Sequence, residues 1–159
     1  MRFLLLATLM MVVDQLTKLW VLNNFALYES LELIPGFFNL TLVMNRGAAF
    51  GFLAGVDGAW RHYFFLVLGV VALVVLVVAW LRLRQAHHLY ASALPMIAGG
   101  AVGNLIDRLR HGAVVDFLDL YVGTSHWPAF NVADSAICVG VGLFLLANVL
   151  ESRAEKKGA

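Results

Sequence analysis

Two aspartates stand where carboxylates are out of place. Asp116 lies in Val114-Val115-Asp116-Phe117-Leu118, among large apolar residues, and Asp134 lies at the edge of an apolar stretch that begins near Asn131. Carboxyls brought a few ångströms apart in such surroundings do not both ionise readily, so the pair shares one proton. One member then acts as base on a water, and the other donates a hydrogen bond to a scissile carbonyl. The titration belongs to the pair. Spacing alone leaves a second chemistry equally open, a small proton-coupled carrier that relays protons through Asp14, Lys18 and Asp134. A non-catalytic membrane scaffold is a third reading, and it leaves the acids without a purpose.

Other polar groups are set against apolar sequence. Asp14 and Lys18 are four apart with the acid first, the favourable order on one helix face. They are expected to neutralise each other and orient their helix. Asn104 and Arg108 also share a face, and their amide and guanidinium groups suit a peptide backbone or a carboxylate. The competing reading is a polar helix end meeting water. Pro128 and Asn131 are helix-start signals, and an acid at 134 would then sit in a first turn, where the helix dipole favours it. Asp119 is an odd number of residues from Asp116, on the opposite face of a strand, and is assigned to a solvated loop. The single cysteine, Cys138, excludes an internal disulfide and a cysteine-based metal cluster. Its run Ala136-Ile137-Cys138-Val139 marks it as a small core residue. His62, His87, His88, His111 and His126 form no HExxH or HxH pattern, so no metal site is expected.

The elements that must carry these groups follow from composition. Of 159 residues 62% are hydrophobic and 13% charged, and mean hydropathy is +0.85. Soluble domains hold roughly 45–50% apolar and about 25% charged residues, so a membrane protein is indicated and disorder, collagen and coiled coil are excluded. A net charge of +1 with scattered Lys and Arg gives nucleic acid no footprint. Four windows suit transmembrane helices, about 3–22, 63–81, 89–106 and 131–150. The second and third are free of charge, and the first and fourth are interrupted by it. The third carries Gly99 and Gly103, a GxxxG spacing that allows close helix approach. Residues 3–13 are followed by no small-x-small cleavage site, so they read as part of a retained helix.

Four spans place both termini on one side. Arg2, Arg82, Arg84, Arg153, Lys156 and Lys157 lie on that side, against Arg46, Arg61, Arg108 and Arg110 on the other, so the termini are expected to be cytoplasmic. The extracytoplasmic segments are then about 23–60 and 107–130. Residues 31–43 read as strand, Pro-Gly turn and strand, 45–52 as a short interfacial helix, and 114–118 as a strand. A small sheet on the outer membrane face pairs these backbones. The expected fold is a single α-helical membrane domain over 1–159, with four transmembrane helices, a small extracytoplasmic β-cradle and a short interfacial helix. No internal repeat, inverted or direct, is visible.

Five ordered blocks resemble the bacterial lipoprotein signal peptidases (signal peptidase II). They are Val13-Asp14-Gln15-Leu16-Thr17-Lys18; Asn45-Arg46-Gly47-Ala48-Ala49-Phe50; Gly99 through Arg108; Val114-Val115-Asp116-Phe117; and Phe130-Asn131-Val132-Ala133-Asp134-Ser135. The resemblance covers nearly the whole chain. It implies an aspartic endopeptidase of the bacterial inner membrane that needs no metal or other cofactor. Such an enzyme cuts the signal peptide from a diacylglyceryl-modified prolipoprotein just before the lipidated cysteine. It also implies cytoplasmic termini, a site near the extracytoplasmic face, contact with membrane lipid, a monomeric state and a short mobile helix over the site. Residue by residue, catalysis is carried over to Asp116 and Asp134, and substrate binding to Asn45, Gly47, Asn104, Arg108 and Asn131. Structural support is carried over to Asp14, Lys18 and Asp107. Arg46 is a charged residue where the family often has a small or hydroxyl one, and no role is carried onto it.

Overall fold

The structure, a computed structural model, describes residues 2–47, 53 and 58–158. Its helices are α1 (Arg2–Asn24), α2 (Ala59–Leu83), α3 (Tyr90–His111) and α4 (Val132–Gly158). Its strands are β1 (Ser30–Ile34), β2 (Phe38–Asn45), β3 (Val114–Val122) and β4 (Ser125–His126). Helices thus cover all four apolar windows. The expected interfacial helix over 45–52 falls mostly outside the described residues.

Among the described residues, three helices are long and apolar enough to cross a membrane: α1, α2 and the Val132–Ala154 part of α4. The uncharged third window, α3, is not one of them. Its Gly and Ala content lowers its hydropathy and has another use, because α3 is the centre on which α1, α2 and α4 pack. A Cβ at Gly99 would collide with the Ala7 carbonyl oxygen of α1, and one at Gly100 with the Ala133 carbonyl of α4. One at Gly103 would meet the Asp14 carboxylate, and one at Gly140 of α4 would lie 2.6 Å from Ile97. The glycines let neighbouring backbones approach closely, as small residues do in lipid. The outer faces of α1, α2 and α4 expose Leu5, Val67, Val74, Val139 and Leu145. That display suits a membrane and not water. Cys138 belongs to this exposed surface. Its expected core position is therefore corrected: where the solvent is lipid, an apolar run does not imply burial.

The strands form one antiparallel sheet in the order β1-β2-β3-β4. Gly36, at φ +76°, makes the β1–β2 turn, a conformation that glycine adopts without steric cost. β3 is longer than the sequence suggests and gains β4 as a partner through Tyr121–His126 and Val122–Ser125. Val21, Leu42, Val115 and Phe117 form a core that fastens the sheet to the end of α1. Tyr90, Leu94 and Ala147 form a second core at the opposite end of the bundle, with Phe3, Trp80 and Phe144 packed on it.

Asp119 requires a further correction. It is not in a solvated loop but in β3, only 8% exposed. It accepts a hydrogen bond from Asn39 Nδ2 at 3.0 Å and lies 2.8 Å from His126 Nδ1. Asn39 is remote in sequence, and His126 is brought back only by the β3–β4 pairing, which hides the cluster from spacing arguments.

Candidate active site

Backbone pairing brings the two singled-out aspartates together. Phe130, just before α4, bridges to Leu118 of β3. Its carbonyl accepts from Phe117 N at 2.9 Å and Leu118 N at 2.8 Å. Asn131 is thereby set beside Val115 and Asp116. It is fully buried, and its side chain faces both acids. Its Nδ2 donates to Asp116 Oδ1 at 2.7 Å, and its Oδ1 accepts from Asp134 N at 2.9 Å. Asp134 Oδ2 accepts in return from Asn131 N at 3.3 Å. This reciprocal pattern is a capping box, built here from Asn and Asp. The helix-start reading of Asn131 and the first-turn reading of Asp134 therefore coexist with proximity to Asp116.

The remaining groups close around this pair. Asn45 Nδ2, at the end of β2, donates to Asp116 Oδ2 at 2.9 Å. Gly47 N donates to Asn45 Oδ1 at 2.9 Å, and Arg108 Nη2 donates to Gly47 O at 2.6 Å. The Arg108 guanidinium also lies over the Phe65 ring of α2, 4.3 Å from its centroid, a cation–π contact. Asn104 Nδ2 donates to Asp134 Oδ1 at 2.8 Å, while its Oδ1 accepts from Lys18 Nζ at 2.9 Å. One continuous chain of contacts thus joins Asn45, Gly47, Asn104, Arg108, Asp116, Asn131 and Asp134. Arg46 is exposed and stands outside it.

The two carboxyls differ in setting. Asp116 is 2% exposed and Asp134 is half-buried. Burial pushes the Asp116 carboxyl up to about 7; the negative charge of Asp134 adds to the rise, and the amides of Asn45 and Asn131 oppose it. Desolvation outweighs two good N–H donors because the charged form loses water on nearly every side. A buried carboxyl able to hold a proton near neutral pH, beside a wetter one, is the arrangement that acid–base hydrolysis of a carbonyl requires.

Beneath the pair lies a polar layer that the sequence indicates only in part. Lys18 and Asp14 do pair, at 2.9 Å. The pair is not self-contained, because Lys18 also reaches Asp107 Oδ2 at 2.8 Å. Gln15, a residue given no role from sequence, donates to Asp107 Oδ1 at 2.9 Å and to the Gly103 carbonyl at 3.2 Å. The available signal was a lone carboxamide in an apolar window. Among the described residues, no buried side-chain nitrogen or oxygen lacks a hydrogen-bond partner.

This constellation sits in a chain with clear relatives. A family model described as signal peptidase (SPase) II matches residues 6–150. The chain belongs to the signal peptidase II family. It is accordingly a peptidase, a hydrolase, with apolar helices that put it in a membrane. It is 52% identical over 143 residues to the lipoprotein signal peptidase of Geobacter sulfurreducens, covering 90% of this chain and 88% of that one. It is 49% identical to that of Shewanella pealeana, with 99% and 91% covered. A solved chain described as a bacterial membrane enzyme shares its fold with a TM-score of 0.83 at 33% identity, covering 94% of this chain and 88% of that one. Another of the same description gives 0.81 at 32%, with 91% and 90% covered. Signal peptidase II membership sets aside the carrier and the scaffold readings, neither of which is a peptidase.

Proposed function

We propose that this signal peptidase II removes the signal peptide from diacylglyceryl-modified prolipoproteins, cutting before the lipidated cysteine, with Asp116 and Asp134 as its catalytic dyad. The observation that carries the dyad is Asn131, one buried amide hydrogen-bonded to Asp116 on one side and to the Asp134 backbone on the other. Burial favours the proton on Asp116 and leaves the half-buried Asp134 as base. Asp134 takes a proton from a water whose oxygen attacks the scissile carbonyl carbon, and Asp116 protonates the carbonyl oxygen. Collapse breaks the C–N bond. The proton on Asp134 goes to the leaving cysteine nitrogen, and Asp116 regains its proton from the hydroxyl that becomes the new carboxyl.

Asn45, Gly47, Asn104, Arg108 and Asn131 bind the substrate backbone around this centre, with Asp14, Lys18 and Asp107 behind them. The chain forms one domain over residues 1–159. α3 is the fourth span, enclosed by the other three, and the sheet is the cradle on the extracytoplasmic side. The termini are cytoplasmic, by the distribution of Lys and Arg. The enzyme is a monomer of the bacterial inner membrane whose substrate arrives laterally from the lipid.

The test is cleavage of a purified diacylglyceryl-modified precursor by Asp116→Asn and Asp134→Asn. Both variants are expected to insert and fold while losing cleavage by at least about 1,000-fold, since neither amide can exchange the proton. Substantial residual cleavage by either removes it from the dyad. The wild type is expected to keep its rate in a chelator, and loss there points to a metal enzyme instead.

A further inference from the structure

The polar layer below the dyad holds a symmetry that charge neutralisation alone does not call for. Lys18 Nζ directs its three donors to Asp14 Oδ2 at 2.9 Å, Asp107 Oδ2 at 2.8 Å and Asn104 Oδ1 at 2.9 Å. It is 1% exposed, so its ammonium has no water to fall back on. Each carboxylate it holds also holds a backbone N–H. Asp14 Oδ1 accepts from Ala133 N at 2.9 Å, and Asp107 Oδ2 accepts from Val115 N at 3.1 Å. Ala133 immediately precedes Asp134, and Val115 immediately precedes Asp116. The third donor fixes the Asn104 amide, whose nitrogen then donates to Asp134 Oδ1.

We propose that Lys18 is a positioning residue for the dyad. Through Asp14 and Asp107 it grips the backbone one residue before each aspartate, so that one ammonium sets their separation. The two acids come from different elements, a strand and a helix, which are also tied by the Phe130 bridge, by Asn131 and by the packing of Val132 near Val115 and Phe117. A neutral α1 would leave that distance to packing. The catalytic role of the dyad is taken from the function proposed above, and the experiment separates the two claims.

The test compares purified full-length Lys18→Met, Asp107→Asn and Asp14→Asn with wild type and with Asp116→Asn on the diacylglyceryl-modified precursor. Lys18→Met is expected to lower kcat about 100-fold, the scale of an ångström-sized misplacement of reacting groups. KM should change less than kcat, because of the five residues assigned to substrate binding only Asn104 touches Lys18. The alkaline limb of the kcat–pH profile should move to higher pH, since loss of the Lys18 charge removes a force that favours ionised Asp116. The other charged groups packed around the dyad are Asp14 of α1, and Asp107 and Arg108 of α3, all retained in this variant. Asp107→Asn keeps an oxygen for Val115 N and should lose only about tenfold.

Wild-type kcat in Lys18→Met overturns the proposal. So does a deficit confined to the yield of folded protein, with kcat per folded molecule and the pH profile unchanged. If Lys18→Met does not fold, unchanged kcat in both Asp107→Asn and Asp14→Asn overturns it. Cleavage by Asp116→Asn defeats the dyad itself, whereas a dead Asp116→Asn beside a normal Lys18→Met defeats only the positioning role.

Discussion

The bundle and the sheet each hold a charged cluster, and the two are built to different standards. In the bundle, Asp14, Lys18 and Asp107 are all but inaccessible, and their carboxylates are shared among a lysine, a carboxamide and two backbone amides. In the sheet, Asp119 meets Asn39 and a His126 side chain that is 50% exposed, and Glu32 pairs with Tyr121 at the surface. Charges without water must have every hydrogen bond supplied by the protein, so a buried cluster fixes geometry as a condition of existing at all. A cluster open to water can lose a partner and rehydrate. The site rests on the first kind of cluster and lies away from the second.

The contrast can be broken at several points. The largest effect should come from Asp14→Leu, which leaves Lys18 short of an acceptor and Ala133 N unpaired. A loss of about 3–5 kcal/mol is expected on breaking such a buried pair, read by denaturant or thermal unfolding in detergent. Next is pH. The value near 7 for Asp116 includes repulsion from ionised Asp134, so it describes loss of the second, shared proton. Cleavage should therefore fall as pH rises through about 7, tenfold per unit beyond it, or about 100-fold by pH 9. A rate that climbs across this range contradicts the one-proton dyad. Gly103→Val drives a side chain into the Asp14 carboxylate and should cost about 1–3 kcal/mol, as overpacking does. The smallest effect belongs to the sheet. His126→Ala should change stability by no more than about 1 kcal/mol and leave kcat unaltered. A collapse of activity there would erase the distinction between the clusters.

Much of this is legible from residue types alone. Asp116 and Asp134 stand out because a lone acid among apolar neighbours is costly, and Asn104 and Arg108 because a helix places them on one face. The hairpin is legible from Pro35-Gly36. What stays hidden is pairing across distance. Nothing near Asp119 points to Asn39, and nothing near Lys18 points to Asp107. Cys138 misleads for a physical reason. In water, apolar means inside; here the most apolar surfaces face outward, and the buried centre is made of glycine and alanine.

That glycine-lined centre has a consequence for how the chain is made. α3 falls short of the apolarity of the other three helices, and its close-approach surfaces are shaped for α1 and α4. α1 and α2 are synthesised before it, but the surface at Gly100 has no partner until Ala133 and Ile137 emerge. During synthesis, then, α3 can meet α1 and α2 as soon as it emerges, but its surface at Gly100 is completed only when α4 follows.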